Sequence, residues 1–219
     1  TIANGHADNQ VAIAREGGLP LFTALLSSDS TGSVQTMAAF AVQAVCRQNA
    51  ANQSECADCG IIRALVQILD QAKGGGRERA REEAAGAIWV LSEGHADNKR
   101  AIALAGAIPP TVGLLAAGST PRALTNATEA LVSLGLADVK NQTEITTQLV
   151  TLLTTGAAEV KRVGATLLWR LVNDNPDTVQ EMANAGSMSD LIGLLKDGNA
   201  GNRKYALHIG RFNRPTHGP

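Results

Sequence analysis

Two histidine–aspartate pairs are the first residues of this chain whose spacing could support acid–base or metal chemistry. His6 and Asp8 form one pair, and His95 and Asp97 form the other; both lie in the pentapeptide Gly-His-Ala-Asp-Asn, at 5–9 and 94–98. An active site brings several different groups to one point, whereas two copies of the same turn in a stack of helices lie on the order of 20 Å apart. We therefore interpret both pairs as helix-joining turns, and we predict no catalytic residue and no enzyme activity.

Three cysteines are the next candidates, and two of them form a Cys-x-x-Cys motif. Cys56 and Cys59 make up the motif and Cys46 precedes it. No second such motif or nearby histidine pair completes a tetrahedral zinc site, and the redox form of the motif belongs in a βαβ unit. The favoured interpretation places Cys56 in a hydrophobic core, with no metal and no cofactor. A zinc or redox protein stays open as an alternative.

The repeated pentapeptide opens a longer internal repeat. The longer repeat has five copies, each of which ends in two aliphatic residues. Four copies carry a glycine before that end, and the fourth copy, at 141–153, has lost about five residues. A period of this size indicates stacked helical units. The copies end at Leu26, Leu69, Leu115, Leu153 and Leu195, with spacings of 43, 46, 38 and 42.

Composition agrees with a helical solenoid and narrows the function classes. Aromatic residues are only 3% of the 219 residues, and 19 basic residues balance 20 acidic ones for a net charge of −1. Nothing in that balance steers the chain to nucleic acid or to an anionic membrane. No apolar run reaches the roughly 18 residues that span a bilayer. We expect a protein of the cytoplasm or the nucleus without nucleic-acid partners or membrane insertion.

The punctuation of each unit predicts three helices. An aspartate, Asp8, Asp97 or Asp177, is expected to cap the first helix. A glycine ends that helix, and a second helix follows, for example at 108–117, where prolines fit the first turn. The third helix is longer and rich in alanine, which allows close helix packing. The glycines are Gly17, Gly60, Gly106 and Gly186, and the third helices begin near Ser33, Gly76, Thr120 and Ala157.

This unit resembles the armadillo repeat. The third helix at 84–92 reads AAGAIWVLS, similar to the AAGALxNLS or AAWALSNLA stretches of that family. The resemblance implies an all-α, right-handed α-solenoid of about five repeats with three helices each, whose third helices line a concave groove. The repeats are expected at about 8–50, 51–96, 97–138, 139–175 and 177–209, within a domain of residues 1–209 and before a tail at 210–219.

Five third helices about 10 Å apart would form a groove for an extended segment of about a dozen residues. The resemblance therefore implies a scaffold that binds an extended or helical segment of another protein. The groove candidates are Phe40, Gln43, Arg47, Trp89, Val90, Glu93, Glu129, Ser133, Trp169, Arg170, Asn173 and His208. Trp89 and Trp169 are the expected anchors, unless both rings are packed between helices.

A comparison within the family separates two roles. Import adaptors of the importin-alpha type carry a Trp and, four residues later, an Asn on successive third helices. The corresponding pairs here are Phe40 and Ala44, Gly86 and Val90, Glu129 and Ser133, and Thr166 and Arg170. We therefore expect a closer relation to scaffold, catenin-like and plant-type repeats. An import adaptor that binds localisation signals, and a structural subunit that uses its ends or its convex face, stay open as alternatives.

A basic row and the chain ends complete the predictions. Arg81, Lys161 and Arg203 fall at one repeat position in the first turn of the third helix. They form either a binding row for an acidic partner or a solvated rim of the solenoid.

The chain starts without methionine, in the turn before a first helix. We expect a fragment of a longer array, whose ends self-associate or dock on another chain.

Overall fold

The computed structural model describes residues 2–27, 29–71, 76–116, 119–136, 139–155 and 158–173. These residues contain eleven α-helices and no β-strand. The predicted fifth repeat, Asp177, Gly186 and the tail lie outside the described residues. The helices are α1 (Ala7–Arg15), α2 (Gly18–Leu25), α3 (Gly32–Cys46), α4 (Ala50–Asp58), α5 (Ile61–Leu69), α6 (Glu78–Ser92), α7 (Ala96–Leu104), α8 (Ile108–Gly113), α9 (Pro121–Gly135), α10 (Val139–Thr155) and α11 (Ala158–Asn173).

The helices are arranged as modules that stack in chain order. The first three modules are α1–α3, α4–α6 and α7–α9, and α10 and α11 form the fourth. Every extensive helix contact joins helices of the same module or of adjacent modules, and the most extensive join α3 to α6 and α6 to α9. Fully buried alanines such as Ala39, Ala84 and Ala127 lie in these third helices, where a small side chain allows close approach. The predicted solenoid is confirmed for these modules, and its three-helix unit is confirmed for the first three of them.

Left-handed glycines separate the first and second helices, as the repeat pattern predicted. Gly17, Gly60 and Gly106 have φ angles of 79°, 85° and 81°. A residue with a Cβ rarely adopts this conformation, which is typical of the residue that ends a helix. The fourth module lost this glycine together with the missing residues, and its first two helices are fused into the 17-residue helix α10. The prediction of three helices per unit is therefore wrong for the fourth module.

Two predictions about helix ends are also wrong. Asp8 and Asp97 lie inside the first turns of α1 and α7, whose N-cap residues are His6 and His95. The Nδ1 atom of His95 accepts a hydrogen bond from the backbone N–H of Asn98 (3.2 Å), while an aspartate in the first turn still favours the helix dipole. Helix α8 ends at residue 113 instead of 117, because i→i+3 bonds to the next two N–H groups tighten its last turn.

A buried asparagine in the first helix of the second, third and fourth modules fastens these modules to the one before. Its side-chain amide donates to a carbonyl near the end of the preceding third helix, and in two modules also to a carbonyl of the preceding first helix. Carbonyls at helix ends lack an intrahelical partner, so these bonds satisfy groups that burial would otherwise leave unpaired. Asn52 donates to Val45 (2.9 Å) and Gln10 (3.1 Å), Asn98 to Leu91 (3.0 Å) and Gln53 (2.9 Å), and Asn141 to Leu134 (3.3 Å).

The next residue along the first helix is a glutamine in three modules, and it bonds in the other direction. Its amide donates to a carbonyl near the end of the third helix of its own module. In α4 and α10, the asparagine and the glutamine together join the first helix to the third helices before and after it. The glutamine bonds run from Gln10 to Ala44 (3.0 Å), from Gln53 to Val90 (2.8 Å) and from Gln142 to Leu171 (2.7 Å). We call these bonds, together with the asparagine bonds above, the Asn–Gln ladder.

The ladder predicts a large stability loss for Asn98→Ala. This change removes two buried hydrogen bonds, and we expect it to lower the free energy of unfolding by about 2–3 kcal/mol. Urea denaturation followed by circular dichroism measures the loss. Asn9→Ala is the matched control at the same repeat position, because the Asn9 amide bonds only to the exposed Ile2 carbonyl. Equal losses in the two variants would contradict a stabilising role for the ladder.

Lys99 stands at the glutamine position of the third module, and Lys99→Gln is expected to stabilise the protein. A glutamine there can donate to the end of α9, as its counterparts do in the other modules, and we expect a gain of about 1 kcal/mol. Thermal and urea unfolding measure the gain. The control is Lys99→Ala, which removes the same charge and has the higher helix propensity. A glutamine variant no more stable than the alanine variant would refute the prediction.

Candidate functional site

The third helices α3, α6, α9 and α11 form one layer of the solenoid, here called the third-helix layer. Its exposed and half-buried side chains are the candidates for partner binding. Phe40, Arg47, Trp89, Ser133 and Arg170 are half-buried, and Glu93 is exposed. Trp169 and Asn173 lie in α11, but their side chains are not among those described. His208 lies outside the described residues.

Gln43 and Val90 do not belong to the accessible surface. Val90 is 0% exposed and lies in the hydrophobic core, so its side chain offers nothing to a partner. Gln43 is also buried, and its amide donates to the side-chain Oε2 (2.8 Å) and the backbone carbonyl (3.0 Å) of Glu83. Gln43 therefore lies where α3 packs against α6. Neither side chain is accessible to a partner.

Trp89 is half-buried and packs against the core. The guanidinium carbon of Arg47, from the preceding module, lies 5.6 Å from the centroid of its ring, within the range of a cation–π contact. The ring therefore bridges the core and the surface, with a cation over its face. The ring is partly packed and partly accessible, so its role as an anchor stays a prediction, and a partner would have to displace or extend the Arg47 contact.

Charged side chains link neighbouring third helices. Arg170 of α11 forms two hydrogen bonds with Glu129 of α9, at 2.6 and 3.0 Å, and both side chains are about one third exposed. Arg–carboxylate pairs of this two-pronged geometry are stronger and more specific than single contacts. These two predicted groove residues are thus engaged with each other.

A second charged network connects α3, α6 and α9, and the repeat comparison did not identify it. Glu82 and Glu83 of α6 are buried, and Arg122 of α9 lies 3.3 Å from one carboxylate and 2.9 Å from the other. The hydroxyl of Thr120 donates to Glu82, and Gln43 of α3 donates to Glu83. The only signal in the sequence is an adjacent acidic pair in a helix that is otherwise buried from 80 to 88.

These helices enclose a cleft of about 460 Å³, here called the α3–α6–α9 cleft. Side chains of α3 form one wall, and the charged side chains of α6 and α9 form the other. It lies on the third-helix layer, where the resemblance had placed a groove. Its lining residues are Ser33, Thr36, Met37, Phe40, Gly76, Arg79, Glu83 and Arg122, of which only Phe40 had been predicted.

The predicted basic row is wrong at Arg81. This residue is 7% exposed, and its Nε donates to the carbonyl of Leu69 at the end of α5 (3.0 Å). The cation caps a helix C-terminus, where its charge is favourable, so it is part of the packing between helices. Lys161 is half-buried in α11, and Arg203 lies outside the described residues.

The cysteines and the histidine turn are used in packing. The Sγ atoms of Cys46 and Cys56 lie 3.1 Å apart in the core, while Cys59 contacts the Thr23 hydroxyl. His95 does not bond to Asp97 in the same turn, since its Nε2 pairs with Ser54 of the preceding module (2.8 Å) and Asp97 pairs with Arg100. Among the described residues, no three His, Cys, Asp or Glu side chains are placed to hold a metal ion.

In the part of the chain that is described, no helix combines the length and the apolar character needed to cross a membrane.

Comparisons with known proteins relate this architecture to solved structures. No family model matches the chain, and no curated protein does. Among solved structures, a designed armadillo repeat protein in complex with the peptide (KR)4 is similar, with a TM-score of 0.71 and 22% identity over 97% of this chain and 89% of that one. A computationally designed armadillo repeat protein for modular peptide recognition gives a TM-score of 0.60 at 22% identity, over 87% and 80%. An engineered protein gives 0.71 at 24% identity, over 96% and 85%.

The class that these similarities define is the all-α solenoid of stacked helical repeats. Within that class, the chain has the armadillo repeat fold. Identities of 22–24% establish the fold and leave the function to be argued from the surface of the third-helix layer.

The cysteine packing predicts a stability loss in alkaline solution. The hydrogen bond with Cys46, together with burial, raises the pKa of the Cys56 thiol far above its ordinary value. In the unfolded chain, the thiol ionises from about pH 8.5. Above that pH, the unfolded state binds fewer protons than the folded state, so the free energy of unfolding falls as pH rises, by up to about 1.4 kcal/mol per pH unit.

Cys56→Ala should reduce this slope by about 1 kcal/mol per pH unit above about pH 9, measured by urea unfolding at several pH values. Cys59→Ala is the control, because burial raises the pKa of this half-buried thiol as well, yet its Thr23 contact opposes the shift and the effect should be smaller. An unchanged slope in Cys56→Ala would show that this thiol ionises in the folded protein.

Proposed function

We propose that this protein is a non-enzymatic interaction scaffold that binds an extended or helical segment of another protein along its third-helix layer. The observation that carries the proposal is the α3–α6–α9 cleft, to which three consecutive modules contribute side chains. A surface that repeats from module to module suits a ligand that is itself a repeating chain. Two of the similar structures are described as bound to a peptide or built for peptide recognition, which supports the proposal by analogy of fold.

We further propose that the segment is not a basic localisation signal. Tryptophan and asparagine are missing from the positions at which import adaptors would carry them. At one of these, Glu129 is paired with Arg170, so a lysine of the ligand would have to compete with an internal guanidinium. On this basis, we group the chain with scaffold, catenin-like and plant-type repeats rather than with importin-alpha. Its expected location remains the cytoplasm or the nucleus.

A second candidate function is that of a structural subunit which docks through its first module. Leu21 and Leu25 of α2 are 63% and 44% exposed, whereas Ala64 and Ile68, at the same repeat positions of the second module, are buried. Exposed apolar residues at stacking positions favour contact with another helical unit. This role would use the surface of α2 and would leave the cleft free.

One crosslinking experiment separates the two functions. A random peptide library is selected on the whole protein, and the selected peptides are tested on variants that carry photoreactive benzoylphenylalanine at a single position. Peptides should crosslink from position 133 in the third-helix layer. They should not crosslink from position 104, which is a leucine 80% exposed on α7 and serves as the matched control outside the layer.

The same variants report the alternatives. Crosslinking from position 104 alone would overturn binding at the third-helix layer. If no peptide is selected, and if the protein instead forms oligomers that crosslink from position 21, the structural-subunit function would replace the proposed one. Size-exclusion chromatography with light scattering measures the oligomers.

A further inference from the structure

The three cysteines of the chain lie together where the first module meets the second. Cys46 is the last residue of α3, Cys56 lies in α4, and Cys59 is the residue that caps the end of α4. None of them lines the α3–α6–α9 cleft, and the proposed function uses none of them. Three thiols at one junction are a cluster of nucleophiles whose chemistry is separate from partner binding.

Cys46 and Cys56 are close enough to be joined by a disulfide. Their Sγ atoms are 3.1 Å apart, and both residues are 0% exposed. A disulfide bond is about 2.05 Å long, so the two sulfur atoms need to approach each other by only about 1 Å. The pair is therefore a dithiol that is already positioned to link α3 to α4, but it lies out of reach of a reagent in solution.

Cys59 connects this buried pair to solvent. It is half-buried, whereas the other two cysteines are buried, and it follows Cys56 by three residues, which places the two on the same side of the helix end. Its Sγ atom lies 3.6 Å from the carbonyl oxygen of Cys56 and 3.6 Å from the hydroxyl of Thr23. A reagent in solution thus meets Cys59 before it meets the buried pair.

We propose that Cys46, Cys56 and Cys59 form a thiol–disulfide exchange site that reacts with low-molecular-weight disulfides, of which oxidised glutathione is the probe, and that retains a disulfide between Cys46 and Cys56. Cys59 is the thiol that reacts first, and the buried pair holds the product. The product joins the third helix of the first module covalently to the first helix of the second.

Three exchanges account for the reaction. In the first, the Cys59 sulfur attacks oxidised glutathione, whose S–S bond breaks; one glutathione stays bound to Cys59, and the other leaves as a thiol with the Cys59 proton. In the second, Cys56 attacks the Cys59 sulfur, and the bound glutathione leaves with the Cys56 proton. In the third, Cys46 attacks Cys56, and Cys59 becomes a thiol again with the Cys46 proton. Two protein thiols are oxidised, and one glutathione disulfide is reduced to two thiols.

The packing of the side chains decides which disulfide is retained. The Cys56 sulfur contacts Cys46 in the core, whereas the Cys59 sulfur contacts Thr23 of α2. A bond between Cys56 and Cys59 therefore requires side chains to leave these contacts and to rotate away from their present conformations, which costs energy in a packed core. The third exchange restores both contacts, and for this reason the Cys46–Cys56 disulfide is the end product.

Incubation of the folded, reduced protein with oxidised glutathione tests the inference. After an acid quench, free thiols are counted with a maleimide in denaturant, and the disulfide is located by mass spectrometry. Proteolysis at Arg47 and Asp58 places each cysteine on a separate peptide. The count should fall from three to one, with the Cys46 and Cys56 peptides joined, and dithiothreitol should restore all three thiols. A final count above one, or a retained disulfide that includes Cys59, would overturn the proposal.

The variant Cys59→Ala tests the order of the exchanges. It should slow the loss of thiols about tenfold, because the accessible thiol is gone, and it should still end with Cys46 joined to Cys56. A loss of stability would expose the buried pair and accelerate the reaction, so a slower reaction is specific to the role of Cys59. An unchanged rate in this variant would overturn the proposal.

Discussion

The structure depends on hydrogen bonds that buried amide side chains donate to the carbonyls at the ends of the third helices. A solenoid has no central core, so each module must be fastened to its neighbours along its whole length. Alanine-rich helices pack closely, but apolar contact alone does not fix how one helix slides along another. A bond such as that from Asn98 to Leu91 is directional and is lost on a small shift. The Asn–Gln ladder therefore sets the register of the stack.

That register brings charged side chains of neighbouring third helices into contact. Glu82, Glu83 and Arg122 meet because their helices are adjacent and in register, and the same holds for Glu129 and Arg170 farther along. Pairs of this kind take up charge that a ligand would otherwise meet. The charged groups that have no such partner remain available to a ligand, and at the α3–α6–α9 cleft the exposed Arg79 is the clearest of these.

Local signals in the sequence predicted the fold well where they depend on the backbone. A glycine with positive φ, such as Gly60, marks a helix end in any context, and a period of about 42 residues already implies stacked units. The predictions were wrong where another residue took the expected role or where a neighbouring helix changed the environment. Asp97 is a good N-cap by type, yet His95 two residues earlier takes that role, and Arg81 looked like surface charge yet bonds to the carbonyl of Leu69.

Repetition and helix punctuation were enough to predict the class of fold, because these signals are local and survive any arrangement of the modules. The candidate site was predicted only in part: Phe40 lines the cleft, whereas Val90 is buried, and Arg79 and Arg122 were not among the predicted groove residues. Whether a side chain is exposed or paired depends on the neighbouring helix as well as on its own. The pairing residues on that neighbour lie about 40 residues away along the chain. Which side of a helix its neighbour covers, and which charges are therefore already paired, follows from the packing of the modules and not from the residues of one helix.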